Sequence, residues 1–140
     1  MLHKHREACR FPHGHTRRIE VVVASETLDA NDMVVDFKAL KLALGEAINR
    51  FDHRMAIHRD DPLREAMAAV HPDSLIVFDR DPTTEVIAEE LFRQAAEVLA
   101  QGFSGASANG HVYEIPAGRL RLERLRVWET PNSWAEFSVS

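Results

Sequence analysis

The 140-residue chain contains a single cysteine, Cys9, so no intramolecular disulfide can staple it. A lone thiol suits a reducing compartment, and a cytoplasmic location is expected. Long apolar runs are also lacking. No segment approaches the ~20 consecutive apolar residues of a helical membrane span. Residues 1–15, dense in histidine and arginine, have no apolar centre of the kind a signal peptide needs. Basic runs are short, Arg17-Arg18 being typical, and the net charge is −5, which argues against nucleic acid as a partner. Glycine and proline number only six each and cluster into no linker or low-complexity tract. With 45% apolar and 28% charged residues, one globular domain spanning 1–140 is expected.

Periodicity then assigns the elements. Residues 15–24 (HTRRIEVVVA) alternate as a strand, with His13, His15, Arg17 and Ile19 on one side. A helix is predicted from Asp36, a plausible N-cap, to Phe51, with Phe37, Leu40, Leu44, Ala47, Ile48 and Phe51 as its stripe. Residues 74–79 (SLIVFD) read as a short buried strand. A second helix opens at Pro82-Thr83-Thr84-Glu85, carries Ile87, Ala88, Leu91, Phe92, Ala95 and Leu99 inward, and stops at Gly102. Residues 102–110 read as a loop. Residues 120–129 and 133–139 form a hairpin. Hairpin-paired strands with two helices on one face make an antiparallel α+β layer.

Five features could carry chemistry. His13 and His15, two apart on a strand, point the same way about 7 Å apart and can converge on one cation; the bland alternative is two exposed strand histidines. Cys9, four residues earlier, could ligate zinc, act as a base beside a metal, or be an ordinary buried apolar residue. Asp52-His53 could be a carboxylate orienting an imidazole, or simply a helix C-terminus. Glu129 falls on the apolar side of its strand, where a carboxylate needs paired donors unless it lies past the sheet edge in water. Glu85 is either a ligand-binding carboxylate or a helix N-terminal charge. His58, His71 and His111 have no usable spacing and are expected at the surface.

Together, and in this order, these pieces resemble the 6-pyruvoyl/6-carboxytetrahydropterin synthases. CRFPHGHTRRIEVVV is similar to that family's Cys-x-x-x-His-Gly-His strand. MVVDFKALKLALGEAINRFDHRM is similar to its first helix with the terminal Asp-His pair, DPTTEVIAEELF to its Pro-Thr-x-Glu helix start, and LRVWETPNSWAEF to its last hairpin. The resemblance implies the tunnelling fold: a four-stranded antiparallel sheet with two helices on one face. It further implies barrels closed by subunits, commonly as a homohexamer with active sites at subunit interfaces. It implies Zn2+ held by His13 and His15, Cys9 as the catalytic cysteine, Asp52 and His53 as a proton-transfer pair, and Glu129 as the residue gripping the pterin ring. Thr83 and Glu85 fall near the pterin pocket.

The chain departs from the family at its start. The strand that carries the third zinc-ligating histidine is missing or shortened, so the expectation is either that the sequence is truncated at its start or that His3 or His5 replaces that ligand. The implied substrate is 7,8-dihydroneopterin triphosphate. The short Cys-x-x-x-His spacing resembles that of bacterial carboxy-type members, and this resemblance implies the branch that yields 6-carboxytetrahydropterin, triphosphate and acetaldehyde on the way to 7-deazaguanines such as queuosine. The alternatives are the 6-pyruvoyl branch, a folate-pathway branch using a glutamate such as Glu7 in place of the cysteine, and a non-catalytic zinc module built from Cys9, His13, His15 and His3 or His5.

Overall fold

The computed structural model describes residues 1–139. Its elements, in chain order, are β1 (Arg18–Ala24), α1 (Phe37–Asn49), β2 (Met55–His58), α2 (Arg64–Val70), β3 (Leu75–Phe78), α3 (Thr84–Gln101), β4 (Phe103–Ala106), β5 (Val112–Ile115), β6 (Arg121–Thr130) and β7 (Ser133–Ser138). The main sheet is antiparallel in the order β1-β6-β7. Its register sets Ile19 against Val127, Val21 against Leu125, and Val127 against Ala135. Every second residue of a strand shares a face, so this pairing puts one apolar face together.

Helix α3 covers that face. Thr83 caps it, its hydroxyl accepting from the Val86 N–H, and its buried stripe is Ile87, Ala88, Leu91, Phe92, Ala95 and Leu99, as predicted. Burying each of the isoleucine, leucine and phenylalanine side chains contributes about 1.5–3 kcal/mol, which makes this interface the centre of the core. The helix ends at Gly102, whose φ is +83°; a Cβ there would sit 2.9 Å from the Ile115 carbonyl oxygen, so only glycine fits. Helix α1 packs inward along much of the predicted stripe: Leu44 is in the core, and Leu40, Ile48 and Phe51 are half-buried against it. Ala39 and Ala43 join them, whereas Phe37 is 80% exposed.

Other parts correct the sequence reading. The main sheet has three strands rather than four, because residues 1–17 form turns, one 3-10 turn and unpaired extended chain. Met55–His58 is an unpredicted strand, and it pairs in parallel with β3 across a crossover that holds the short helix α2. Part of the expected loop 102–110 is strand β4, hairpin-paired with β5. His58, expected at the surface, is buried at 4% exposure, its Nδ1 accepting from the Asp60 N–H. His71 and His111 are exposed. Among the described residues no helix is long and apolar enough to cross a membrane.

Candidate active site

One end of the layer opens into a cleft of about 860 Å³. Cys9, His13, His15, Asp52, His53, Thr83, Glu85 and Glu129 all line it. They come from four separated places: the segment ahead of β1, the turn after α1, the start of α3 and the end of β6. His3 and His5 do not line it. The His3 ring packs against His58 at 5.4 Å, its backbone N–H held by Asp81, and His5 Nδ1 accepts from the Glu7 N–H.

The two histidines of the His-Gly-His segment do converge, with ring centroids 4.9 Å apart and perpendicular planes. His13 Nδ1 lies 2.7 Å from the Phe11 carbonyl oxygen. A carbonyl only accepts, so Nδ1 carries the proton and Nε2 presents its lone pair, the usual condition of a metal-ligating imidazole. His15 Nε2 lies 3.3 Å from Glu129 Oε1. Burial lowers the pKa of His15, the Glu129 charge opposes that, and Arg17 and His13 add to it. The pair supplies two nitrogens suited to zinc. No group of three or more His, Cys, Asp or Glu residues arranged for a metal occurs among the described residues.

Asp52 and His53 form a pair in which Nδ1 of the imidazole lies 2.8 Å from the Asp52 carboxylate, leaving Nε2 free. His53 adopts φ +55°, a left-handed conformation that costs a β-carbon-bearing residue about 1–2 kcal/mol. Helix α1 has already ended, and this turn swings both side chains out beside the cleft, His53 at 93% exposure and Asp52 at 74%. Cys9 is half-buried, its carbonyl accepting from the Leu2 N–H at 2.7 Å. Thr83 is committed to capping α3, and Glu85 is exposed on the first turn of that helix.

Glu129, at the end of β6, is the most connected carboxylate of the cleft. Besides His15 it faces Arg17, whose Nη2 is 3.8 Å from Oε1. Arg17 also donates through Nη1 to Thr84 Oγ1 at 3.1 Å. Sequence reasoning gave neither Arg17 nor Thr84 a role. The available signal was period: Arg17 continues the alternation that aligns His13 and His15.

A family model described as 6-pyruvoyl tetrahydropterin synthase matches residues 1–139. The chain belongs to that family. It is an enzyme of the tetrahydropterin synthase, lyase type. Among its relatives, a 6-carboxy-5,6,7,8-tetrahydropterin synthase of Aquifex aeolicus is 31% identical over 129 residues, covering 92% of this chain and 75% of the relative. Proteins of the same name from Rickettsia felis and Rickettsia bellii are each 29% identical, covering 80% and 94% of this chain and 83% and 86% of their own. The crystal structure of uncharacterized protein WS1659 from Wolinella succinogenes superposes with a TM-score of 0.62 at 22% identity, covering 94% of this chain and 81% of that one, a likeness of fold.

Proposed function

We propose that this tetrahydropterin synthase family member converts 7,8-dihydroneopterin triphosphate into 6-carboxy-5,6,7,8-tetrahydropterin, releasing triphosphate and acetaldehyde. The observation that carries the reading is the convergence of Cys9, the Asp52-His53 pair and Glu129 on one cleft from segments far apart in sequence. The names of the relatives support the carboxy branch, and we propose with it a place in 7-deazaguanine synthesis.

The roles follow from chemistry. Glu129 takes the pterin: the ring N–H and the adjacent exocyclic amine are two parallel donors, and a carboxylate accepts both. Cys9 serves as the base that moves a proton on the side chain of the substrate, while His53, oriented by Asp52, handles the counterpart transfer through its free Nε2. Zinc, held by His13 and His15, would supply Lewis acidity to the side-chain hydroxyls. The exposure of Asp52 and His53 suits a site completed by a neighbouring subunit, and we propose a homo-oligomer of the kind the family forms. Light scattering coupled to gel filtration tests the assembly.

Incubation of purified protein with dihydroneopterin triphosphate, followed by mass spectrometry, tests the reaction. Formation of the 6-carboxy product with acetaldehyde supports the reading. A 6-pyruvoyl product moves the enzyme to the other branch. Absence of any pterin turnover by the zinc-loaded oligomer overturns it.

A further inference from the structure

Arg17 stands where three elements meet. It immediately precedes β1, reaches the first residue of α3 through Thr84, and reaches the end of β6 through Glu129. Its side chain is 22% exposed, against 64% for its neighbour Arg18, which points to the open face of the sheet. Both cationic or potentially cationic partners of Glu129, Arg17 Nη2 and His15 Nε2, approach the same oxygen, Oε1. Neither oxygen of Glu129 accepts a hydrogen bond from the described residues, which leaves both acceptors for a ligand.

We propose that Arg17 is a positioning residue that sets the specificity of the cleft for ligands presenting two parallel N–H donors. From its place in the cleft lining beside Glu129, its guanidinium, 3.8 Å from Oε1, restrains the carboxylate electrostatically and so limits the directions in which its oxygens face a ligand. The inference rests on the proposed role of Glu129 as the pterin-gripping carboxylate. A carboxylate free to rotate about its terminal torsion presents its two oxygens in many directions, and that torsion is soft. A guanidinium fixes it better than an ammonium can, because its fork is planar and can meet two acceptors at once. Here one arm is tied to the Thr84 hydroxyl, itself fixed by the start of α3, and the other faces Glu129. Arg17 thus links the ligand-gripping carboxylate to the rigid helix that also carries Thr83 and Glu85.

The test is a double-mutant cycle read by calorimetry, with neopterin as the probe and 2-desamino-neopterin, which lacks the exocyclic amine, as its control. Arg17→Met keeps the aliphatic stem and removes the fork. It is expected to weaken neopterin binding about 10-fold, within the coupling range for residues sharing one network, and to leave the desamino control nearly unchanged. In a Glu129→Gln background the same substitution is expected to change neopterin binding little. Arg17→Lys is expected to recover only part of the loss. Equal losses for both ligands, or equal losses in both backgrounds, would overturn the proposal while leaving Glu129 in its role. If Glu129→Gln alone leaves neopterin binding intact, the pterin reading and this inference fall together. Should Arg17→Met fail to fold, Thr84→Val, which frees the guanidinium from α3, runs the same cycle with the same expectations.

Discussion

Glu129 Oε1 lies 3.3 Å from His15 Nε2, so the carboxylate expected to grip the ligand touches one of the two histidines expected to hold a metal. The contact ties two tasks to one geometry. A pterin drawing on Glu129 and a cation drawing on His15 act on neighbouring atoms.

The first expected outcome concerns Glu129 itself. Glu129→Gln keeps the shape but replaces one acceptor oxygen with a donor and removes the charge. A ring with two parallel N–H donors then meets one acceptor and one opposing N–H. Pterin affinity is expected to fall by ~1.5–3 kcal/mol, the range for hydrogen bonds to charged groups. Titration calorimetry with neopterin reads this directly, and unchanged affinity would remove Glu129 from the binding site.

His15 gives the second. Burial lowers its pKa from the ordinary 6.5, while the charge of Glu129 works against that shift. A lowered folded-state value means that the unfolded chain holds more protons in the interval between that value and 6.5. The contribution of neutral His15 to stability is therefore complete above 6.5 and is lost as pH falls through that interval. The causes also fix the direction of change in variants. Glu129→Gln is expected to move the imidazole titration further down, and Arg17→Met is expected to move it up. NMR titration of the His15 ring in metal-free protein measures both, and a midpoint above 6.5 in the native chain contradicts the argument.

The legibility of this molecule in its sequence followed element length. Helix α3 was readable because eighteen residues give five turns of apolar repeat, closed by Thr83 at one end and Gly102 at the other. Strands β1, β6 and β7 were readable because alternation persists through them. Strand β2 was not, since Met-Ala-Ile-His is four residues long and partly buried on both sides, which shows no period. His58 was misplaced for the same reason: its pairing with Phe78 in β3 and the packing of the His3 ring against it are long-range contacts that leave no local signal. Cys9, His13, His15, Asp52, His53, Thr83, Glu85 and Glu129 were each identifiable through motif likeness, and the cleft brings them together. His3 and His5 were chosen by proximity in sequence alone, and the chain carries them elsewhere. Arg17 was overlooked because an arginine next to another arginine reads as a solvated pair.

The third expectation is metal content. His13 and His15 supply two nitrogens, one of them with its tautomer already set by the Phe11 carbonyl. Purified protein is expected to carry one zinc per chain, and the double substitution His13→Ala, His15→Ala is expected to abolish it. Replacing His3 and His5 by alanine is expected to leave zinc in place, since neither side chain reaches the cleft. Elemental analysis decides all three, and stoichiometric zinc in the His13/His15 double variant places the metal elsewhere.

Cys9 divides the readings most sharply. As a zinc ligand it would be a strong thiolate donor, and Cys9→Ala would lower zinc affinity and stability together. As a base it would leave zinc content and fold intact when removed, while turnover of dihydroneopterin triphosphate would fall by roughly 10²–10⁴-fold, the usual worth of a positioned acid or base. The geometry favours the second outcome. Cys9 lines the same cleft as Asp52, His53 and Glu129. A structural zinc module would also leave the Asp52-His53 pair without a task, although the chain holds His53 in a left-handed conformation that costs free energy. Its half-buried position beside the cleft leaves the thiol accessible to a small alkylating reagent. Alkylation is expected to inactivate the enzyme without releasing metal, and prior binding of neopterin is expected to slow it. Cys9→Ala and Cys9→Ser should then behave alike in zinc content and thermal stability, both close to the native protein, while both lose turnover. A Cys9→Ala protein that keeps its zinc and its full synthase activity would refute the base; one that loses both zinc and stability would return Cys9 to the metal.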